Sequence, residues 1–123
     1  MNGPAYEYRA TVRRVVDGDT LDLDIDLGFE CRLVTRARLV GINTPEVVGA
    51  TKAAGLAAVA FVHQWLALSA EPEVLVRSYK AKQREKYGRW LVEVFRYGVP
   101  VTLNAALLAH GHATLMNDKG GSV

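Results

Sequence analysis

The chain has one cysteine, Cys31, so it can form no internal disulfide and needs no oxidising compartment to fold. Its first eleven residues, Met1 to Thr11, lack a basic segment followed by an apolar run, which leaves no secretory signal to expect. No apolar stretch reaches membrane-spanning length, so no membrane partner is expected. Charge of one sign is scarce too. Fifteen Lys and Arg against thirteen Asp and Glu leave +2, a balance that by itself points to no partner. Internal repeats and long linkers are missing. What remains is an ordinary globular composition, half apolar and 23% charged, over 123 residues. The expectation is one domain spanning 1–123 with a core at about 8–113, a frayed tail at 118–123, and an intracellular location.

The clearest pattern present is alternation. Leu21, Leu23, Ile25 and Leu27 are interleaved with Asp22, Asp24 and Asp26. Period two predicts a strand with a buried face and a wet acidic face. Tyr8 to Val16 reads as the strand before it, joined through Asp17-Gly18. Cys31 to Ile42 reads as the strand after it, ended by Pro45. A loop of Gly28, Phe29 and Glu30 pairs Leu27 with Cys31. It also sets Leu21 against Ala37, Asp22 against Arg36, Ile25 against Leu33 and Asp26 against Arg32. A one-residue slip would set Leu21 against Arg36. The same register puts Thr20 opposite Arg38, and so brings Asp19 beside Arg38.

Thr51 to Leu68 carries helical spacing, with Leu56, Val59, Ala60, Phe61, Val62, Trp65 and Leu66 as its apolar stripe. Val74 to Tyr79 and Arg89 to Tyr97 read as strands. Leu103 to Ala109 reads as a short helix between Thr102 as N-cap and Gly111 as stop. Three strands, a helix, two strands and a helix predict a mainly β chain with helices (α+β). The expected architecture is a five-stranded OB-fold Greek-key barrel with two helices, although pattern alone allows another small α+β fold.

Four groups carry chemistry. Asp17-Gly18-Asp19-Thr20 offers clustered oxygen donors for a hard cation, and equally a plain hairpin turn. Asn43-Thr44-Pro45-Glu46 places a carboxylate at a barrel rim, where it could act as a base or merely start a helix. Arg38 and Arg89 suit a phosphate whose charge grows in a transition state, or are surface arginines with acid partners. Arg77, Lys80, Lys82, Arg84, Lys86 and Arg89, interleaved with Tyr79 and Tyr87, can follow a phosphate backbone or form a solvated loop. The run Asp22, Asp24, Asp26, Gly28 is not an EF-hand: Leu27 holds the glycine position and no glutamate closes the loop. Cys31 and His63 read as structural, and His110-Gly111-His112 as a helix end.

Three blocks in order, Val16-Asp17-Gly18-Asp19-Thr20-Leu21, Arg38-Leu39-Val40-Gly41-Ile42-Asn43-Thr44-Pro45-Glu46 and Lys86-Tyr87-Gly88-Arg89, resemble the staphylococcal nuclease (thermonuclease) family. Gly55 through Phe61 and Leu103 through Leu108 are similar to that family's first two helices, so the resemblance covers about Ala10 to Ala113. It implies an OB-fold hydrolase that cleaves phosphodiesters of DNA and RNA with Ca²⁺, shows little sequence preference and leaves 3′-phosphate ends. It further implies Asp19, Asn43 and the Thr44 carbonyl as metal ligands, with Asp17 acting through water. Arg38, Glu46 and Arg89 become the catalytic residues, and Lys86 and Tyr87 substrate contacts, extended by Lys82 and Arg84 of the basic run. Two departures stand out. Asn43 replaces a family aspartate, which removes a charge from the metal site. Asn117 and Lys119 fall near the family's two tyrosines, and the family's third helix is not expected. The alternative expectation is a catalytically weakened OB-fold module that binds single-stranded nucleic acid. A protein-interaction domain using the acidic strand face is a third reading. No obligate protein partner is expected.

Overall fold

The computed structural model describes residues 6–69, 72–78 and 89–116. Three long strands come first: β1 (Tyr6–Asp17), β2 (Thr20–Gly28) and β3 (Cys31–Leu39). A short β4 (Ile42–Asn43) and a 3-10 turn (Gly49–Thr51) lead into α1 (Lys52–Leu66). Then follow β5 (Glu73–Ser78), β6 (Trp90–Phe95), α2 (Leu103–Ala109) and β7 (Thr114–Leu115). Five strands close a barrel in the order β1-β2-β3-β6-β5, and β4 pairs with β7 apart from it. The β3–β6 contact is parallel and the other barrel pairings are antiparallel. The described residues are thus mainly β, with a closed five-strand barrel and two α-helices, consistent with an OB-like α+β fold. No described helix is long and apolar enough to cross a membrane.

The expected register of the β2–β3 hairpin is the observed one. Leu21 faces Ala37, Asp22 faces Arg36, Ile25 faces Leu33 and Asp26 faces Arg32. The loop differs. Leu27 is squeezed out as a bulge, Gly28 pairs with Cys31, and only Phe29 and Glu30 turn the corner. Both have positive φ, 55° and 65°, as a two-residue turn matched to strand twist requires. Leu27 is therefore 39% exposed rather than the last member of the buried face. Cys31 is exposed, not packed, because it sits beside that turn at the hairpin tip.

Leu21 and Leu23 of β2, Leu39 of β3, Val74 and Val76 of β5, and Val94 of β6 are fully buried in the core. Leu103 and Leu107 from α2 and Val62 from α1 complete the core. Helix α1 buries Gly55, Ala58, Val62 and Trp65, a narrower stripe than the sequence suggests, and leaves Leu56 half exposed. His63, also on α1, is exposed rather than set in the core. The C-terminus of α1 is held by Arg96 of the barrel end. Its guanidinium donates to the carbonyls of Trp65 (3.0 Å) and Leu66 (2.9 Å) and lies over the Trp65 ring.

Asn104 of α2 secures the parallel seam. Its Nδ2 donates to the carbonyls of Val40 (3.0 Å) and Val92 (3.2 Å), and its Oδ1 accepts from the Val94 amide. These backbone groups lie where the β3 ladder ends, and an unmet buried amide or carbonyl is costly. Thr102 caps α2 as expected, accepting from the Ala105 amide, and Gly111 ends it at φ 78°.

Candidate functional site

The turn from β1 to β2 sits beside the end of β3 because Thr20 pairs with Arg38 and the Leu39 amide donates to the Asp19 carbonyl at 2.8 Å. At Gly41 the chain takes φ 84°, reverses, and enters β4. The reversal delivers Asn43 and Thr44 back onto the same spot. One Asp19 carboxylate oxygen, Oδ2, then accepts from Arg38 Nη2 at 3.2 Å and from the Thr44 amide at 3.0 Å. The other, Oδ1, accepts from the Thr20 hydroxyl at 3.0 Å. Arg38 Nη2 also donates to the Asn43 side-chain oxygen, while Nη1 donates to the carbonyls of Ile42 (3.0 Å) and Leu39 (3.4 Å). Asp19 and Arg38 are both under a tenth exposed. A buried ion pair needs this many hydrogen bonds to offset desolvation.

Asp17 lies within electrostatic reach of Asp19, Glu46 and Arg89. The Asp17 carboxyl is raised above its ordinary pKa, chiefly by burial, then by repulsion from Asp19 and Glu46; Arg89 and Arg36 oppose the rise. Two carboxylates, Asp19 and Glu46, and two arginines, Arg89 and Arg36, thus act on Asp17. Arg89, just ahead of β6, brings Nη1 to 3.5 Å from the Thr20 hydroxyl. Thr20, 1% exposed, thus stands between Arg89 and Asp19. The sequence offers Thr20 as one of the clustered oxygen donors and places it opposite Arg38, but not as a link between Arg89 and Asp19.

Two glycines let α1 approach this cluster. A Cβ on Gly55 would lie 2.4 Å from the Glu46 carbonyl oxygen, and one on Gly18 would lie 2.8 Å from the Ala58 Cβ. The Glu46 carbonyl also accepts from the Thr51 hydroxyl at 2.8 Å. The backbone of Glu46 is thereby pinned to the start of α1 while its side chain stays exposed.

Among the described residues no three His, Cys, Asp or Glu side chains converge to hold a metal ion. The oxygens that do converge are of mixed kind: the Asp19 carboxylate and the Asn43 amide, both bound by Arg38, with Thr44 alongside. All are hard donors, the type a Ca²⁺ ion takes. Thr44 Oγ1, beside Gly18, is buried without a hydrogen-bond partner, so the cluster is not saturated from within. The donor set matches a hard cation in kind, with the Asp19 carboxylate in the cluster and the Asp17 carboxylate within electrostatic reach of it.

Asp19, Arg38, Asn43 and Thr44 are thus joined by hydrogen bonds, Arg89 reaches them through Thr20, and Asp17 feels Asp19, Glu46 and Arg89 electrostatically. Lys82, Arg84, Lys86 and Tyr87 lie outside the described residues, as do Tyr79, Lys80, Asn117, Lys119 and the tail 118–123. Away from the site, Arg77 pairs with Glu7 (2.8 Å) and Glu93 (3.3 Å) and covers the Phe95 ring, so this member of the basic run is tied into the barrel wall. No protein-family model matches the chain, and no curated protein matches its sequence.

Proposed function

We propose that this chain is a Ca²⁺-dependent phosphodiesterase of the staphylococcal nuclease type on an OB-fold. It would hydrolyse DNA or RNA with little sequence preference and leave 3′-phosphate ends. The observation that carries the reading is the convergence of Asp19, Arg38, Asn43 and Thr44, from three separate segments, within electrostatic reach of Asp17, Glu46 and Arg89. A hairpin turn needs no buried carboxylate, and a solvated arginine needs no buried site. The barrel order and its parallel β3–β6 seam agree with the OB assignment.

In this reading Asp19, the Asn43 side-chain oxygen and the Thr44 carbonyl hold the cation, and Asp17 helps through water. A bound Ca²⁺ would supply Lewis-acid polarisation of a phosphoryl oxygen. Glu46 would orient the attacking water and take its proton as the new P–O bond forms, while the bond to the 5′ oxygen breaks and that oxygen leaves as a hydroxyl, protonated from solvent. Arg38 and Arg89 stabilise the charge that builds on the equatorial oxygens. For Arg38 this requires its fork to move from Asp19 and Asn43 to the phosphate. Lys86 and Tyr87, with Lys82 and Arg84, contact the substrate beyond the reacting phosphate.

One observation favours a second reading. Arg38 Nη2 binds the oxygens of both Asp19 and Asn43, the two side chains assigned to the metal. A module that binds single-stranded nucleic acid with weakened catalysis could keep this arrangement unchanged. Digestion of single-stranded DNA and of RNA in Ca²⁺ and in chelator separates the two. The nuclease reading expects hydrolysis only with Ca²⁺, poor replacement by Mg²⁺, and products ending in 3′-phosphate. Binding without hydrolysis under any of these conditions would favour the module.

A further inference from the structure

The outer face of β1, β2 and β3 is not the acidic surface that the three aspartates of β2 suggest. Arg9 of β1 and Arg32 of β3 flank Asp26, while Arg14 and Arg36 flank Asp22. Arg32 turns to Asp24 at 2.7 Å and lies 3.8 Å from Asp26. Arg36 grips Asp22 through two hydrogen bonds, 2.7 and 3.2 Å. The pairing of β1 with β2 then shifts between Val12 and Arg14, which leaves Arg13 as an extra residue. Strand alternation would send Arg13 and Arg14 to opposite faces. A bulge re-aims a side chain, and here both arginines are exposed.

The result is an open cleft of about 520 Å³ lined by Arg13, Arg14, Asp22, Val34, Thr35 and Arg36. Three arginines face one aspartate there, and that aspartate is held by Arg36. Arg13 and Arg14 have no ion-pair partner among the described residues, yet both help keep the Asp22 carboxyl below its usual pKa, after the larger effect of Arg36. The cleft adjoins the candidate site. Arg36 also acts on Asp17, and the Asp22–Arg36 pair is two residues along the hairpin from Thr20–Arg38. Two residues of strand span roughly 7 Å, the order of one backbone step of an extended single strand.

We propose that Arg13 and Arg14 form a phosphate track that carries a single-stranded nucleic acid away from the reacting phosphate, across the β1–β2–β3 face. The occupant's chemistry follows from the cleft. It is basic and open, with no base-sized apolar wall, so it suits a sugar–phosphate backbone and reads no sequence. The proposal rests on the nuclease reading for the position of the reacting phosphate, but its test does not.

The probe is a fluorescein-labelled oligothymidylate longer than the roughly 4–16 nucleotides that one such barrel covers. Binding is titrated in chelator at several salt concentrations, with wild type, Arg13→Ala/Arg14→Ala and, as a control of equal charge, Arg9→Ala/Arg32→Ala. Hydrolysis of a thymidine dinucleotide is measured alongside in Ca²⁺. All three proteins are checked by thermal melting, and the Arg13 and Arg14 side chains are exposed enough for that variant to fold. The track predicts about tenfold weaker binding for Arg13→Ala/Arg14→Ala and a salt slope lower by about 1.4, two contacts at about 0.7 each. The control should change little, and dinucleotide hydrolysis should be unaffected. Unchanged affinity and slope, or an equal loss in the control, would overturn the track and leave the nuclease reading standing. A flatter slope in a protein that hydrolyses nothing would keep the track and defeat the nuclease reading.

Discussion

Arg38 and Asp19 are nineteen positions apart in sequence, and their side chains meet at 3.2 Å with only 10% of either exposed. The pair joins the β1–β2 turn to the chain reversal at Gly41, and the rest of the site is arranged around it. Removing one partner leaves a buried charge unmatched. Arg38→Met is therefore expected to cost about 3–5 kcal/mol. Replacing both, as Asp19→Leu/Arg38→Met, should cost less than the sum of the single changes, because neither charge is then left alone. Urea unfolding of the four proteins gives the coupling. Simple additivity would show that the pair is not a structural unit.

A glycine inside a helix normally costs about 1 kcal/mol relative to alanine. At Gly55 the sign should reverse. An added Cβ would stand 2.4 Å from the Glu46 carbonyl oxygen, which is backbone and cannot swing aside. Gly55→Ala is expected to destabilise by about 1–3 kcal/mol, in the range for overpacking. It should also lower activity by displacing Glu46. A stabilised variant with full activity would contradict the close seating of α1.

The hairpin register could be read from the sequence because its charges are discriminating. Only one alignment sets Asp22 on Arg36 and keeps Leu21 off a charge. The same reading placed Asp19 near Arg38. The bulge at Leu27 was not legible, since Phe29-Glu30 is an unusual pair for a turn that needs positive φ twice, and nothing local announces it. The apolar stripe of α1 holds Val62 and Trp65, which are buried, but it also includes Leu56, which is half exposed, and omits Gly55 and Ala58, where the helix comes closest. Small residues are weak hydrophobic signals even where they permit the closest approach. The β4–β7 pair is two residues long on each side and has no period to read.

The turn itself can be improved. Left-handed backbone costs an ordinary residue roughly 1–2 kcal/mol, and Phe29 is 99% exposed, so no burial offsets the strain. Phe29→Asn/Glu30→Gly should raise the melting temperature by about 4–8 °C for each kcal/mol gained in a domain near this size. An unchanged or lower melting temperature would mean that the turn is not under strain.

Acid should weaken the outer face of the barrel in a defined window. Arg36 holds the Asp22 carboxyl below its ordinary value of 3.8, chiefly by hydrogen bonding. A lowered folded-state pKa means stability that is present above the unfolded value and lost as pH falls through the folded value. Asp22→Asn should therefore cost about 0.2–1 kcal/mol near neutral pH, as exposed pairs do. The difference from wild type should vanish well below 3.8. Urea midpoints across that range provide the check, and a gap that persists in strong acid would assign the effect to packing instead.

The account depends most on Glu46, whose backbone is locked to α1 while its side chain remains exposed and acts on Asp17 electrostatically. The direct measurement is the rate of single-stranded DNA hydrolysis in saturating Ca²⁺ by wild type and by Glu46→Gln, with equal folding shown by melting and equal substrate affinity by titration. The expected result is hydrolysis by the wild type and a rate about a hundredfold or more lower in the variant, as for loss of a general base. Equal rates in the two proteins, or no hydrolysis by either, would contradict it.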